Sequence, residues 1–216
     1  MLEILTGAGL ATASGLNAFI PMLAMGLLAR FTSLVTLPAG WEWLSNEWVM
    51  VIIGVLLVLD VVADKVPAVD HVNDIIQTVV RPAAGGIVFG AGASSQTAAV
   101  TDPASFFTSN AWVPVAIGVV VALATHLLKA GTRAGANVVT AGAAAPALSV
   151  TEDAMSVGLT FAAIIVPVLV IVFLLVLGLL FWVLFRRMRR IRDARRARAS
   201  GSEPPVPPLP PAPAAS

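Results

Sequence analysis

The stretch VGLTFAAIIVPVLVIVFLLVLGLLFWVLF, residues 157–185, holds no charged side chain, and RRMRRIRDARRAR follows it at 186–198. A spanning helix needs about 20 apolar residues, so this stretch is long enough to cross a bilayer. The arginine run marks its far end as cytoplasmic, because Lys and Arg concentrate on that side. Pro167 predicts a bend within it. The whole chain of 216 residues has the same character, with 58% hydrophobic residues, 12% charged and a mean hydropathy of +0.92. Soluble domains carry about twice that share of charge, so a soluble globular fold is excluded. The expected fold is all-α: a polytopic membrane helix bundle of about six helices over 1–185. A basic cytoplasmic segment, 186–200, follows it. The Pro-rich tail, 201–216, is expected to be disordered, since proline fixes φ and removes donors.

Upstream, apolar runs predict further membrane segments at about 4–30, 48–65, 112–130 and 132–150. The first opens with Gly7, Gly9 and Gly15 and carries Asn17 and Pro21. It lacks a basic leading region, so it is read as a membrane helix and not a cleaved signal. Trp41, Trp43, Trp48 and Trp112 suit the bilayer interface, where indole has an apolar body and a polar N–H. Residues 68–82, AVDHVNDIIQTVVRP, have an apolar face and an opposite stripe of Asp70, Asn73, Asp74, Gln77 and Arg81 at helical spacing. Pro82 is expected to break or kink that helix. The small-residue run after it, with Gly86 and Gly90 four apart, can pack tightly on a neighbour. It either crosses or re-enters the membrane.

The formal net charge of +1 hides an uneven distribution. Residues 1–185 hold five Lys/Arg against ten Asp/Glu, whereas 186–216 hold eight Arg against Asp193 and Glu203. A basic run directly after an apolar one points to the lipid bilayer as partner, with anionic lipids at the arginines, and not to nucleic acid. A homo-oligomer is left open. The chain has no cysteine, which excludes disulfides and thiol chemistry. No zinc-protease, phosphate-loop or dinucleotide motif occurs, so no metal or cofactor is expected.

A shift of 64 residues aligns SNEWVMVIIGVLLVLDVVADK (45–65) with SNAWVPVAIGVVVALATHLLK (109–129), and the register runs on to Pro82/Pro146 with 12 identities over 38 positions. Matches at Trp, Lys, Asn and Pro exceed what apolar bias explains. The expected repeat units are 45–82 and 109–146. With Lys65 and Lys129 on the basic side, six crossings place both termini in the cytoplasm. Glu42, Glu47, Asp102, Glu152 and Asp153 then lie in outer loops, and the repeat is parallel. If 83–92 re-enters, the repeat is inverted.

The two copies differ in charge. The first carries Asp60, Asp64, Lys65, Asp70 and Asp74, and the second carries His126, Lys129 and Arg133, with Asn137 one turn on. Charges in lipid are costly and face the bundle interior. The expected pairs are Asp60 or Asp64 with His126 or Lys129, and Asp70 or Asp74 with Arg81 or Arg133. Asn17, after Gly15, either presents an amide to a solute or bonds a neighbouring helix. Three functions stay open. A small transporter or channel for an ion or polar solute would line its path with Asn17, Asp60, Asp64, Lys65, Asp70, Asn73, Asp74, Arg81, His126, Lys129, Arg133 and Asn137. A non-transporting scaffold would use the charges only as ion pairs. A membrane enzyme would need Asp and His to converge in a cleft.

Several of these residues occur in motifs that resemble a known family. Ala13-Ser14-Gly15-Leu16-Asn17 with Pro21, Ala63-Asp64-Lys65-Val66-Pro67 with Asp70 and Asp74, Arg81-Pro82 with Gly85-Gly86, and His126, Lys129 and Arg133 look like a bacterial membrane-protein family. It is labelled domain of unknown function 4126. The resemblance covers about 1–185 and implies a multi-pass protein of the bacterial inner membrane. Members carry Ser-Pro-Glu after the Arg-bearing helix, where this chain has Ala143-Ala144-Ala145-Pro146. The resemblance implies no activity.

Overall fold

A computed structural model describes residues 2–65, 67–93, 110, 112–140, 143–176, 179, 182 and 186. The chain forms two units, Met1–Leu175 and Val176–Ser216. In the second, the Arg186 guanidinium lies 5.0 Å from the centroid of the Trp182 ring, a cation–π contact. The rest of the basic segment and the Pro-rich tail fall outside the described residues.

The described elements of the first unit are helical. They are α1 (Leu2–Leu16), α2 (Phe19–Phe31), a 3-10 turn (Ala39–Ser45), α3 (Glu47–Ala63), α4 (Pro67–Ala93), α5 (Trp112–Thr140) and α6 (Ala145–Ile165), with a further helical stretch, α7 (168–175), after a break at Pro167. Val72–Ala93, Trp112–Ala136 and Ala145–Ile165 are long and apolar enough to cross a membrane. The 3-10 turn and α3, bent by 62°, make a fourth span if counted together. Exposed Val51, Ile52, Val55, Val58, Leu59 and Val62 on α3 suit contact with lipid tails.

The first apolar segment is not the single helix expected for 4–30. It breaks at Asn17 and Ala18. Pro21 has no N–H to donate to the carbonyl four residues back, so a continuous helix fails here. Asn17 then caps the new start: its Oδ1 accepts from Phe19 N at 3.0 Å and Ile20 N at 3.3 Å. The chain reverses at this break. Gly7 lies against Phe89 and Ala93 at the end of α4, while Gly15 lies against Ala122 and Thr125. On α2, Gly26 packs against Leu44 and Met50 and Arg30 pairs with Glu47, so the later part of α2 meets the start of α3, and Trp41 touches Gly90. So α1 descends from the Ala93 end of α4, and α2 returns to it. The two helices have 15 and 13 residues, about 20 Å each, short of a full crossing.

Small residues let this hairpin sit inside the bundle. The run from Leu10 to Leu16 is buried throughout, because Gly, Ala, Ser and Thr allow close helix approach. Three helices surround α1: α4, α5 and α6. The α4–α5 contact is closer still. A Cβ at Gly118 would stand 2.3 Å from the Gly85 carbonyl oxygen, and one at Gly85 would stand 2.2 Å from Ala122 Cβ. That antiparallel register sets Arg81 opposite His126.

Other expectations are corrected. Pro82 does not end its helix: α4 runs on to Ala93, so 83–92 is the second half of a helix long and apolar enough to cross, Val72–Ala93, and not a re-entrant loop. The segments expected at 112–130 and 132–150 are largely one helix, α5, and α6 begins at Ala145. Glu152 and Asp153 belong to α6 and not to an outer loop. The stretches aligned by the repeat take different shapes. The chain turns at Asp64 and Lys65 before α4, whereas α5 passes straight through Lys129. Pro67 favours a helix start and disfavours helix at the residue before it; its counterpart, Gly131, interrupts neither way.

Candidate functional site

Buried charges from four helices converge below the hairpin tip. Asp64 ends α3, Arg81 lies on α4, Lys129 and Arg133 are one turn apart on α5, and Glu152 lies on α6. Asp64, Arg81, Lys129 and Arg133 are each at most 3% exposed. Oδ2 of Asp64 is 3.4 Å from Lys129 Nζ, 3.3 Å from Arg133 Nη2 and 3.8 Å from Arg81 Nη2. Oε2 of Glu152 is 3.0 Å from both Lys129 Nζ and Arg133 Nη2. Arg133 Nε also donates to both Glu152 oxygens, at 3.3 and 3.2 Å. Such forked pairing is the strong geometry of guanidinium with carboxylate.

Lys129 joins this cluster to the hairpin. Its Nζ donates to the carbonyl of Leu16, the last residue of α1, at 2.9 Å. A helix end leaves its last carbonyls unpaired and carries partial negative charge, so an ammonium is favoured there. Asn17 Nδ2 donates to Asp153 Oδ1 at 2.9 Å, and Ser156 Oγ donates to the Ala13 carbonyl at 3.0 Å. Three side chains from α5 and α6 thus hold the tip.

A second, mostly acceptor-lined shell lies between α3 and α4. Asn73 Nδ2 donates to Asp60 Oδ1 at 2.7 Å and to Asp64 Oδ1 at 2.8 Å, and Gln77 Nε2 donates to Asp60 Oδ1 at 2.8 Å. On α5, His126 stands between Arg81 Nη1, 3.2 Å from its Nδ1, and Thr78 Oγ1, 3.1 Å from its Nε2. The Thr78 hydroxyl donates to the Asp74 carbonyl at 2.8 Å, so its oxygen accepts from Nε2–H. Arg81 can only donate, so Nδ1 offers a lone pair. This network assigns His126 as the neutral Nε2–H imidazole.

Hydrogen bonding is incomplete around Arg81, and also at Asp74 Oδ1, Ser14 Oγ and Ser149 Oγ. Arg81 Nε and Nη2, Asp60 Oδ2 and Gln77 Oε1 are buried without a hydrogen-bond partner. Nε and Nη2 form one edge of the guanidinium fork. Arg133 bonds Glu152 through that same edge, whereas on Arg81 it makes no hydrogen bond and faces Asp64 Oδ2 at 3.8 Å, an ion pair longer than a hydrogen bond. Two grooves of about 500 and 430 Å³ lie elsewhere, along α2, α3 and the loop between them. Among the described residues no three His, Asp or Glu groups converge as a metal site.

Of the sequence candidates, the structure brings together Asn17, Asp60, Asp64, Asn73, Arg81, His126, Lys129 and Arg133. Asp64 pairs with Lys129, as one expected pairing has it. Arg81 and Arg133 take Asp64 and Glu152, and His126 faces Arg81 where a carboxylate was expected. Asp74 is half-buried at the edge, with one oxygen unpartnered. Lys65 stands apart: it is exposed and donates to its own helix at Val61 O, 3.0 Å away. The side chains of Asp70 and Asn137 lie outside the described residues. Sequence reasoning missed Glu152, Asp153, Thr78 and the Leu16 carbonyl, and it saw Gln77 only as part of a stripe. Ser149, Glu152, Ser156, Thr160 and Ala163 repeat at three and four and are all buried; that spacing was the available signal for Glu152.

Residues 4–187 match the family described as Domain of unknown function (DUF4126). The chain belongs to this family. The matched region of DUF4126 contains the hairpin, every helix of the cluster and all the ion pairs described above. No curated protein and no solved structure matches the chain. Family membership therefore names no activity, and function is argued from the site.

Proposed function

We propose that this protein is a small membrane transporter or channel for an ion or polar solute, caught with its polar centre closed. The observation that carries this reading is the Nε/Nη2 edge of the buried Arg81, which makes no hydrogen bond within the protein. A network retained only for structure satisfies its members, because an unpaired polar group in a low dielectric is costly. Here a fully buried guanidinium has no hydrogen-bond partner at Nε and Nη2, with Asp64 Oδ2 at 3.8 Å, and two acceptors, Gln77 Oε1 one turn away on α4 and Asp60 Oδ2 on the carboxylate that Gln77 bonds, are likewise unpartnered. The setting supports the reading: discontinuous helices with carbonyl ends at an intramembrane charge cluster recur where membrane proteins handle solutes. The α1–α2 hairpin then re-enters the membrane and acts as the gate, its tip withdrawing from Lys129 and Asp153 to admit the solute. The proposed setting is a bacterial inner membrane.

A panel of ions and small polar solutes, tested for flux in proteoliposomes, decides this. The expected result is flux for at least one class, abolished in Arg81→Gln. Absence of flux across the panel, with the centre closed in further structures, overturns it.

A second reading is favoured by the burial of the ion pairs: a non-transporting scaffold whose charges only hold helices together. It expects Arg81→Gln to leave every cellular role of the protein intact while lowering stability.

A further inference from the structure

We propose that the Nε/Nη2 edge of Arg81 binds the carboxylate of a small solute that also carries a hydroxyl or an amine. A guanidinium edge presents two parallel N–H groups that match the two oxygens of one carboxylate. Arg133 makes that fit inside the protein, where its Nε and Nη2 hold Glu152 at 3.0–3.3 Å. On Arg81, itself 0% exposed, the same two atoms have no hydrogen-bond partner. Asp64 Oδ2, at 3.8 Å from Nη2, is too far to bond it and is shared with Lys129 and Arg133. Among the described residues these ion pairs set three cations, Arg81, Lys129 and Arg133, against two carboxylates, Asp64 and Glu152. The set therefore has room for a carboxylate from outside.

The acceptors nearby add a second requirement. Asp60 Oδ2 and Gln77 Oε1 are buried without a donor. Gln77 lies one turn from Arg81 on α4, about 5 Å along the axis, and it bonds the Asp60 carboxylate. A plain anion on Arg81 leaves both oxygens unsatisfied and adds its charge to that of Asp60. A hydroxyl on the same solute supplies the missing donor. An amine supplies it as a cation, which also opposes Asp60. Arg81 sits near the middle of the 22-residue span Val72–Ala93, roughly 15 Å from each end. Lipid headgroups do not reach that depth, so the ligand is a free hydroxy- or amino-carboxylate. That it then crosses the membrane rests on the transport reading above.

The test reads binding and not flux. Thermal unfolding of the full chain in nanodiscs is followed in sodium glycolate, glycine, sodium acetate and sodium chloride at equal ionic strength. The expected result is a saturable rise with glycolate or glycine, by about 5 °C or more at a hundredfold excess over Kd. Acetate, which lacks the donor, is expected to bind about tenfold more weakly, and chloride to give no rise. Arg81→Gln is expected to abolish the response. Arg81→Lys, which keeps the charge and loses the fork, is expected to weaken it about tenfold. Asp64→Asn, which removes the negative charge facing Arg81, is expected to tighten it about threefold or more. No rise in wild type, an equal rise in chloride, or acetate binding as tightly as glycolate and glycine overturns the site. So does an unchanged response in either Arg81 variant or, where neither folds, in Asp64→Asn. Binding without flux keeps the site and removes transport, whereas flux of another solute without binding removes the site and keeps transport.

Discussion

At the scale of single residues, Lys129 shows how few contacts define the centre. One ammonium touches a helix end and two carboxylates, so its loss is felt by α1, α3 and α6 together. Breaking a buried ion pair from one side costs about 3–5 kcal/mol. Lys129→Ala is expected to lose stability on that scale in thermal unfolding. The Asp64→Ala/Lys129→Ala double change is expected to lose less than Lys129→Ala alone, because the orphaned carboxylate goes too. Additive losses in the cycle would rule out direct pairing. The Asp64–Lys129 pair was legible from charge placement, since both groups sit late in apolar runs and neither can face lipid. Glu152 was not. Its neighbour Asp153 and the polar Thr151 read as a loop, and only the burial of Ser149 and Ser156 on the same helical face reveals its side chain as an inward one.

At the scale of elements, the α4–α5 contact carries the site's register. Gly85 and Gly118 bring the backbones together, and one turn on from Gly85 and its neighbour Ala122 the same two helices present Arg81 and His126. Gly118→Leu is expected to cost at least about 1–3 kcal/mol through overpacking and to weaken whatever activity depends on Arg81. Gly54→Ala and Gly131→Ala, where nothing lies within 4 Å of the added carbon, are expected to be neutral or to gain up to about 1 kcal/mol of helix propensity. Thermal unfolding of the three variants checks both statements. Tight packing after Pro82 was readable from the small-residue run. The persistence of α4 through Pro82 was not, because proline's missing bond is tolerated where neighbouring helices and side chains compensate. The two aligned stretches diverge for a reason that is readable afterwards: Pro67 starts a helix where Gly131 continues one.

For the whole molecule, the hairpin is the feature that hydropathy could not reveal. Residues 4–30 have the length and composition of one crossing, and the reversal at Asn17 is fixed by partners far along the chain. Asn17 followed by Pro21 marked a break, but a break does not state a direction. The cysteine-free chain offers a clean test of the gate. Asn17→Cys/Asp153→Cys, oxidised to a disulfide, is expected to pin the tip and stop flux, and reduction is expected to restore it. Undiminished flux in the oxidised protein would remove the hairpin from the role of gate. The hairpin also bears on how the protein is made. Its tip bonds span 113 and 136 residues of sequence, to Lys129 and Asp153, so when α1 and α2 leave the ribosome their partners do not yet exist. A polar hairpin tip alone in lipid has unsatisfied carbonyls. Docking of the tip therefore waits until α5 and α6 have been made, so that α1 and α2 take their final place after helices synthesised later than themselves.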